Sequence, residues 1–235
     1  MYKVIVFDIG DTLIGYEPDA KTVIARRFDR IGIQITADES AIINQTMELS
    51  IAEQIYREIY GAERLDDAAF IEYIDTRILE LPFVQSKINT IERENAFKNA
   101  PIREKQKKIV KPNAHIVLQE LKKEYRLGVI SNYSSSMLNY LHDADLAHYF
   151  ETIVISEIVG FEKPDPKIYE YFLQQMRCAA KECLYVGDHP FDVMGAKRAG
   201  MDVVWLNQIY NEMPEYIHER PDYILHDIGE LTSIL

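Results

Sequence analysis

The chain has 235 residues, 47% of them hydrophobic and 27% charged, a balance that belongs to folded globular proteins and excludes a disordered or low-complexity chain. Lys and Arg number 26 against 38 Asp and Glu, giving a formal net charge of −12, which argues against a nucleic-acid or anionic-membrane binder because both partners select a basic face. Cys178 and Cys183 have neither CxxC spacing nor a neighbouring histidine pair, so both read as reduced thiols rather than a staple or a metal site.

In chain order, the opening MYKVIVFDIGDTL carries too short an apolar run for a signal peptide. No stretch approaches the roughly twenty apolar residues of a membrane span, and the expected compartment is the cytoplasm. Residues Tyr2 to Phe7 form an apolar run that stops at Asp8, which predicts a buried strand ending in a functional loop. From Tyr16 to Gln106 the apolar residues recur at helical spacing: Ile24, Phe28 and Ile31, then Ile51, Ile55 and Ile59, then Phe70, Ile71, Ile74 and Ile78. Strand signals are weak there, which predicts an all-helical insertion punctuated at Gly61 and Pro82. The basic segment Arg103–Lys111 reads as a solvated connector leading back into the core.

Beyond Asn113 the pattern changes. Short apolar runs at Leu127–Ile130, Thr152–Ile155, Cys183–Val186, Asp202–Leu206 and Tyr223–Leu225 alternate with helical stretches at Ala114–Lys123, Ser135–Ala144, Lys167–Met176 and Asp192–Ala199. Such alternation predicts an α/β fold, a Rossmann-like parallel-sheet core with right-handed crossovers. The expected organisation is a core of residues 1–15 and 107–235 interrupted by an all-helical cap of residues 16–106. Ligands of parallel sheets bind beyond the carboxyl ends of the strands, so the residues just past each strand are the candidates. They are Asp8, Gly10, Asp11 and Thr12, then Ser131 and Asn132, then Lys163 in EKPDP, then Gly187, Asp188 and Asp192 in VGDHPFD.

These motifs, in this order, resemble the haloacid dehalogenase superfamily. The motif hhhhD-x-D-x-T lies over VIVFDIGDT with Asp8 at the nucleophile position; Ser131 in VISN, Lys163 before a helix, and Gly187-Asp188 with Asp192 match the remaining three. The resemblance implies a Mg²⁺-dependent phosphatase that hydrolyses a small phosphorylated metabolite through an aspartyl-phosphate on Asp8. Its metal ligands would be Asp8, the Gly10 carbonyl, Asp188 and Asp192, consistent with the preference of Mg²⁺ for oxygen ligands and few carboxylates. Ser131, Asn132 and Lys163 would bind the phosphoryl group, the lysine neutralising charge inside a cleft. Thr12 is expected to fix the loop by bonding to backbone, and His189 to have a positioning role only.

One position departs from the family. Its second aspartate, the acid–base group, is replaced by Gly10. Asp11 is a candidate substitute on a loop that glycine makes permissive, and Glu17, Lys21 and Arg26 of the cap are others; a slow enzyme acting on good leaving groups is the third reading. The same gap keeps two alternatives open, a metal-independent dehalogenase and a regulatory binding protein with the fold but little turnover.

Overall fold

The computed structural model of the chain describes residues 2–102 and 104–235; Met1 and Arg103, the first residue of the expected basic connector, lie outside the described residues. The elements in the first half are β1 (Val4–Phe7), β2 (Ile14–Glu17), α1 (Ala20–Asp29), α2 (Ala37–Ile59), α3 (Asp67–Leu79), α4 (Pro82–Lys87), α5 (Ile91–Asn99) and β3 (Lys107–Val110). The second half contains α6 (Ala114–Leu121), β4 (Arg126–Ser131), α7 (Ser136–Asp143), β5 (Thr152–Ile155), α8 (Ser156–Val159), α9 (Pro166–Met176), β6 (Cys183–Gly187), α10 (Pro190–Arg198), β7 (Asp202–Leu206) and β8 (Tyr223–Leu225). Among the described residues no helix is long and apolar enough to cross a membrane.

Six strands form one parallel sheet in the order β5-β4-β1-β6-β7-β8, the α/β core that strand–helix alternation predicts. The four residues of β1 are buried on both faces, as befits a strand between two parallel neighbours with helices above and below. From β1 the chain continues to β4 and β5 on one side, then crosses to build β6, β7 and β8 on the other, so β1 is the point where strand order reverses. Register finishes the arrangement: Phe7 pairs with both Val129 and Val186, so these three strands end nearly level. Two helices start slightly earlier than periodicity suggests, α9 at Pro166 and α10 at Pro190, because a proline at the first helical position has no N–H to leave unpaired.

The core unit runs to Gly15 and resumes over Lys108–Gln208 and Glu212–Leu235. Its main apolar cluster joins Ile5, Phe7, Val129, Leu184 and Val186 of the sheet to Val117, Leu118 and Leu121 of α6.

The second unit comprises Tyr16–Lys107 together with Ile209–Asn211, where Asn211 Nδ2 donates to Gln45 Oε1 at 3.4 Å. The division thus differs from the sequence expectation at Lys107 and at Ile209–Asn211. Helices α1 to α5 surround a core of Ile24, Phe28, Ile43, Ile74, Ile78 and Phe97. Local signals set the helix starts: Asp19 caps α1, and Thr36 with Glu39 forms a capping box on α2.

Two expectations need correction here. The insertion is not wholly helical, because Tyr16 and Glu17 lie in β2, and part of the supposed connector is β3; these strands form a separate two-stranded sheet. Four residues such as KKIV are too few to show alternation, and the ladder depends on a partner some ninety residues away in sequence. Nor is Ile51–Ile55–Ile59 the buried face of α2: Ile59 is 42% exposed, while Ser40, Asn44, Ser50 and Gln54 are buried beside Ile43 and Ala52. This helix packs against both α1 and α3, so its buried surface is wider than one stripe. Its polar side chains are satisfied locally, Ser50 Oγ by the Thr46 carbonyl at 2.7 Å and Ser40 Oγ by the Lys21 carbonyl at 2.6 Å.

A charged pair lies inside this helical unit. Arg27 and Asp75, with side chains 4% and 2% exposed, form a bidentate pair at 2.6 and 2.7 Å. The guanidinium also donates to the carbonyls of Phe97 at 3.1 Å and Ala100 at 3.2 Å, and stacks 3.9 Å from the centroid of the Phe97 ring.

Candidate active site

Asp8 follows β1 directly and is 7% exposed. Its backbone N–H still donates to Val186 at 2.9 Å, so the ladder with β6 fixes where the side chain leaves the sheet. Two donors converge on Asp8 Oδ1: Ser131 Oγ from the end of β4 at 2.7 Å, and Lys163 Nζ at 2.6 Å. Lys163 reaches Asp192 Oδ1 equally closely, at 2.6 Å, and stands 3.2 Å from Tyr185 Oη. Burial opposes the lysine's charge, but the carboxylates of Asp192 and Asp8 outweigh it and hold the ammonium above the ordinary lysine range.

Asp192 is 1% exposed and held from three sides. Besides Lys163, Tyr185 Oη donates to Oδ1 at 3.0 Å, and the His189 backbone N–H donates to Oδ2 at 3.1 Å. His189 is the residue before α10, and its Nδ1 accepts from the Phe191 N–H at 3.2 Å, capping that helix. Burial, aided by the charge on Lys163, pushes this histidine down to about 4, so its neutral ring stays an acceptor at pH 7.

Asp188 is oriented by two groups. Thr12 Oγ1 donates to its Oδ1 at 2.8 Å, and Trp205 Nε1 to its backbone carbonyl at 2.7 Å. Thr12 therefore bonds a carboxylate, not backbone as expected: its side chain crosses to the neighbouring loop because β1 and β6 are adjacent and end level.

Oxygen atoms of Asp8, Asp188 and Asp192 lie within 4.8 Å of one another. Burial raises Asp188 well above the ordinary carboxyl range, and the charges of Asp8 and Asp192 add to it. Burial likewise raises Asp8, with Lys163 pulling it back and Asp192 pushing it further up. Three crowded carboxylates facing one lysine are short of positive charge, and hard oxygen donors suit a hard divalent cation. The residues present thus fit Mg²⁺, which Asp8, Asp188 and Asp192 would hold; the Gly10 carbonyl accepts from the Thr12 N–H at 2.6 Å.

The side chain of Asn132 ties its loop to that of Lys163. Its amide clamps the backbone of Lys163, Oδ1 accepting from the lysine N–H at 2.7 Å and Nδ2 donating to the carbonyl at 2.9 Å. Asp11 has a left-handed backbone, φ 48°, and lies outside the carboxylate trio. Burial raises its carboxyl, against the pull of Lys111, whose ammonium donates to the Asp11 carbonyl and to Gln208 Oε1 at 2.7 Å. In the helical unit, Glu17 ends β2, Lys21 is exposed in the first turn of α1, and Arg26 pairs with Glu104 at 3.1 Å.

Three residues at the site escape the motif reading. Tyr185 is two residues before Gly187, hence on the same face of β6, and alternation was the available signal. Lys111 is hidden in an apparently solvated basic run. Tyr133 has no motif at all: a Cβ placed on Gly10 would stand 3.3 Å from its Cε2 and 3.4 Å from its Oη, so the tyrosine ring lies against the glycine.

A model of the family described as haloacid dehalogenase-like hydrolase matches residues 5–206. The chain belongs to this hydrolase family. Among curated relatives, it is 31% identical over 214 residues to a glyceraldehyde 3-phosphate phosphatase of Pyrococcus abyssi, covering 87% of this chain and 81% of that one. It is 29% identical over 110 residues to (S)-2-haloacid dehalogenase 2 of a Pseudomonas strain, covering 46% of this chain and 48% of that one. The chain spans about half the length of several curated relatives it matches. Among solved structures, the putative hydrolase YfnB of Bacillus subtilis, crystallised with magnesium, superposes with a TM-score of 0.64 at 21% identity, covering 100% of this chain and 98% of that one. This last likeness concerns the fold.

Proposed function

We propose that this hydrolase is a Mg²⁺-dependent phosphatase of small organic phosphomonoesters. The supporting observation is the geometry around Asp8: a buried carboxylate with both donors on one oxygen, beside two further carboxylates and a lysine. The phosphatase relatives and the magnesium in the YfnB crystal agree with this reading. With Oδ1 held by Ser131 and Lys163, Asp8 Oδ2 is the oxygen that attacks phosphorus, and the bond to the leaving oxygen breaks. Lys163 neutralises charge on the transferring group in a site where burial makes that charge count. A water then attacks the aspartyl-phosphate, the bond from phosphorus to Asp8 breaks, and phosphate leaves. A bound Mg²⁺ would screen the repulsion between the carboxylate and the anionic substrate. In place of the acid missing at Gly10, Asp11 on the same loop and Glu17, Lys21 and Arg26 of the helical unit are the candidates, and a slow enzyme acting on good leaving groups is the remaining reading. A bound cation together with Lys163 would supply positive charge locally, which would let an acidic protein take an anionic metabolite in the cytoplasm.

Similarity to a haloacid dehalogenase, together with Gly10 in the first loop, favours a second reading, displacement of halide from carbon by the same aspartate without metal. Asp188 and Asp192 weigh against it, since that chemistry has no use for a carboxylate cluster. Hydrolysis of p-nitrophenyl phosphate with Mg²⁺ or with chelator, for wild type and Asp8→Asn, separates the readings. We expect chelator to reduce the rate to background and Asp8→Asn to reduce it by about 10³ or more. Turnover indifferent to Asp8 overturns the phosphatase reading, and Asp8-dependent halide release in chelator establishes the second. Binding of Mg²⁺ and a phosphate analogue without turnover marks a regulatory protein.

A further inference from the structure

Lys163 is held at both ends. Asn132 clamps its backbone, and its ammonium, on a side chain 8% exposed, meets three acceptors. They are Asp8 Oδ1 and Asp192 Oδ1, each at 2.6 Å, and Tyr185 Oη at 3.2 Å. An ammonium has three N–H bonds, so this set uses all of them. Two of the acceptors are carboxylates and the third is a neutral phenol.

Tyr185 is a fully buried residue of β6, paired in register with Val6 of β1 and Val203 of β7, so its backbone is fixed inside the sheet. Its ring packs against that of Tyr169, with centroids 5.9 Å apart. Its hydroxyl stands 3.0 Å from Asp192 Oδ1 and 3.2 Å from the carbonyl of Ile130, the residue before Ser131. One oxygen thus joins the end of β4, the Lys163 loop and the first turn of α10.

The contact between Lys163 and Asp8 is no fixed reference during turnover. When Asp8 Oδ2 bonds to phosphorus, the carboxylate becomes an acyl phosphate and Oδ1 an uncharged carbonyl, a weaker acceptor for a cation. Asp192 and Tyr185 are untouched by that step. An ammonium held by Asp192 alone still turns about that contact; a second constant acceptor sets its direction.

We infer that Tyr185 is a positioning residue for Lys163, its hydroxyl fixing the direction of the ammonium while the charge on Asp8 comes and goes. The inference rests on the phosphatase reading. Tyr185 acts through the lysine and not on the reacting atoms. Loss of the hydroxyl leaves one N–H without its acceptor in a nearly sealed place, and the ammonium turns away from its present position. Asp192, by contrast, keeps Lys163 on Oδ1 and the His189 N–H on Oδ2, and stays in place.

Tyr185→Phe keeps the ring and removes only the hydroxyl. With p-nitrophenyl phosphate and saturating Mg²⁺, we expect kcat to fall about tenfold or more, while the Mg²⁺ concentration giving half-maximal activity stays within about twofold of wild type. The second measurement repeats the substitution in a Lys163→Met background, where the ammonium is gone. There Tyr185→Phe should change the residual kcat by less than about twofold, because the two residues act as one unit. A structural fault lowers both backgrounds alike, so the cycle separates it from positioning. Equal losses in both backgrounds, or no loss in the single variant, overturn the assignment while leaving the phosphatase reading intact. A loss that added Mg²⁺ restores overturns it in favour of an effect on Asp192. Absence of Asp8-dependent turnover of p-nitrophenyl phosphate by wild type removes the phosphatase reading and this inference together.

Discussion

Gly187 shows how closely single residues are fitted in this site. A Cβ there would lie 2.4 Å from Asp192 Oδ2 and 2.6 Å from its Cγ, so any side chain pushes that carboxylate off the strand. Asp192 is one of two anions on Lys163 and also accepts from the start of α10, so its displacement loosens the lysine that bonds Asp8. Gly187→Ala should lower kcat by roughly tenfold or more and raise the Mg²⁺ concentration giving half-maximal activity, because small misplacements of positioned groups are costly. Steady-state kinetics over a Mg²⁺ titration checks this, with far-UV circular dichroism as a control for folding. Unchanged activation by Mg²⁺ would show that Asp192 has no part in holding the ion.

At the scale of elements, the helical unit depends on a charge it has buried. Arg27 on α1 and Asp75 on α3 are nearly sealed from solvent, and the guanidinium also serves two backbone carbonyls at the end of α5. Removing one partner strands the other in an apolar surround, and Arg27→Met should cost about 3–5 kcal/mol. Replacing both, as Arg27→Met with Asp75→Leu, should recover much of that loss, since an apolar pair of similar volume carries no desolvation penalty. Urea unfolding followed by circular dichroism measures both; equal losses in the single and double variants would show that packing around Arg27, not the stranded carboxylate, sets the cost. The core uses the opposite device: its sheet strands are sealed by Val, Ile and Leu, and charge is confined to the strand ends.

For the whole molecule, the proposed metal at the carboxylate trio would couple folding to cation binding. Asp8 is remote in sequence from Asp188 and Asp192 and is brought beside them only by folding, so a cation that binds the assembled trio stabilises the folded form. Mg²⁺ at a hundred times its dissociation constant should add about 2.7 kcal/mol, a rise in Tm of roughly 5–10 °C for a chain of this size. Asp188→Asn should melt higher than wild type in chelator, because one repelling charge is gone, and should lose most of the Mg²⁺-dependent rise. Scanning calorimetry with and without Mg²⁺ measures both effects. A melting temperature indifferent to Mg²⁺ in the wild type would count against a metal at these residues.

The sequence by itself determined the α/β class and the strands of the sheet, with bounds within two residues of those observed, because two-sided burial demands unbroken apolar runs such as VIVF and VVWL, which are visible locally. It also singled out Asp8, Ser131, Lys163, Asp188 and Asp192 as candidates, since ligands of parallel sheets bind beyond strand ends and chain order lists those ends. Only the tertiary structure decided what these residues touch. Strand order and register bring Thr12 to Asp188 and Ser131 to Asp8 across 176 and 123 residues of sequence. The ladder of β2 with β3, the buried polar face of α2 and the place of Tyr133 over Gly10 were hidden for the same reason. Each depends on a partner distant in the chain, and periodicity reports only which face of an element is apolar, never what packs against it.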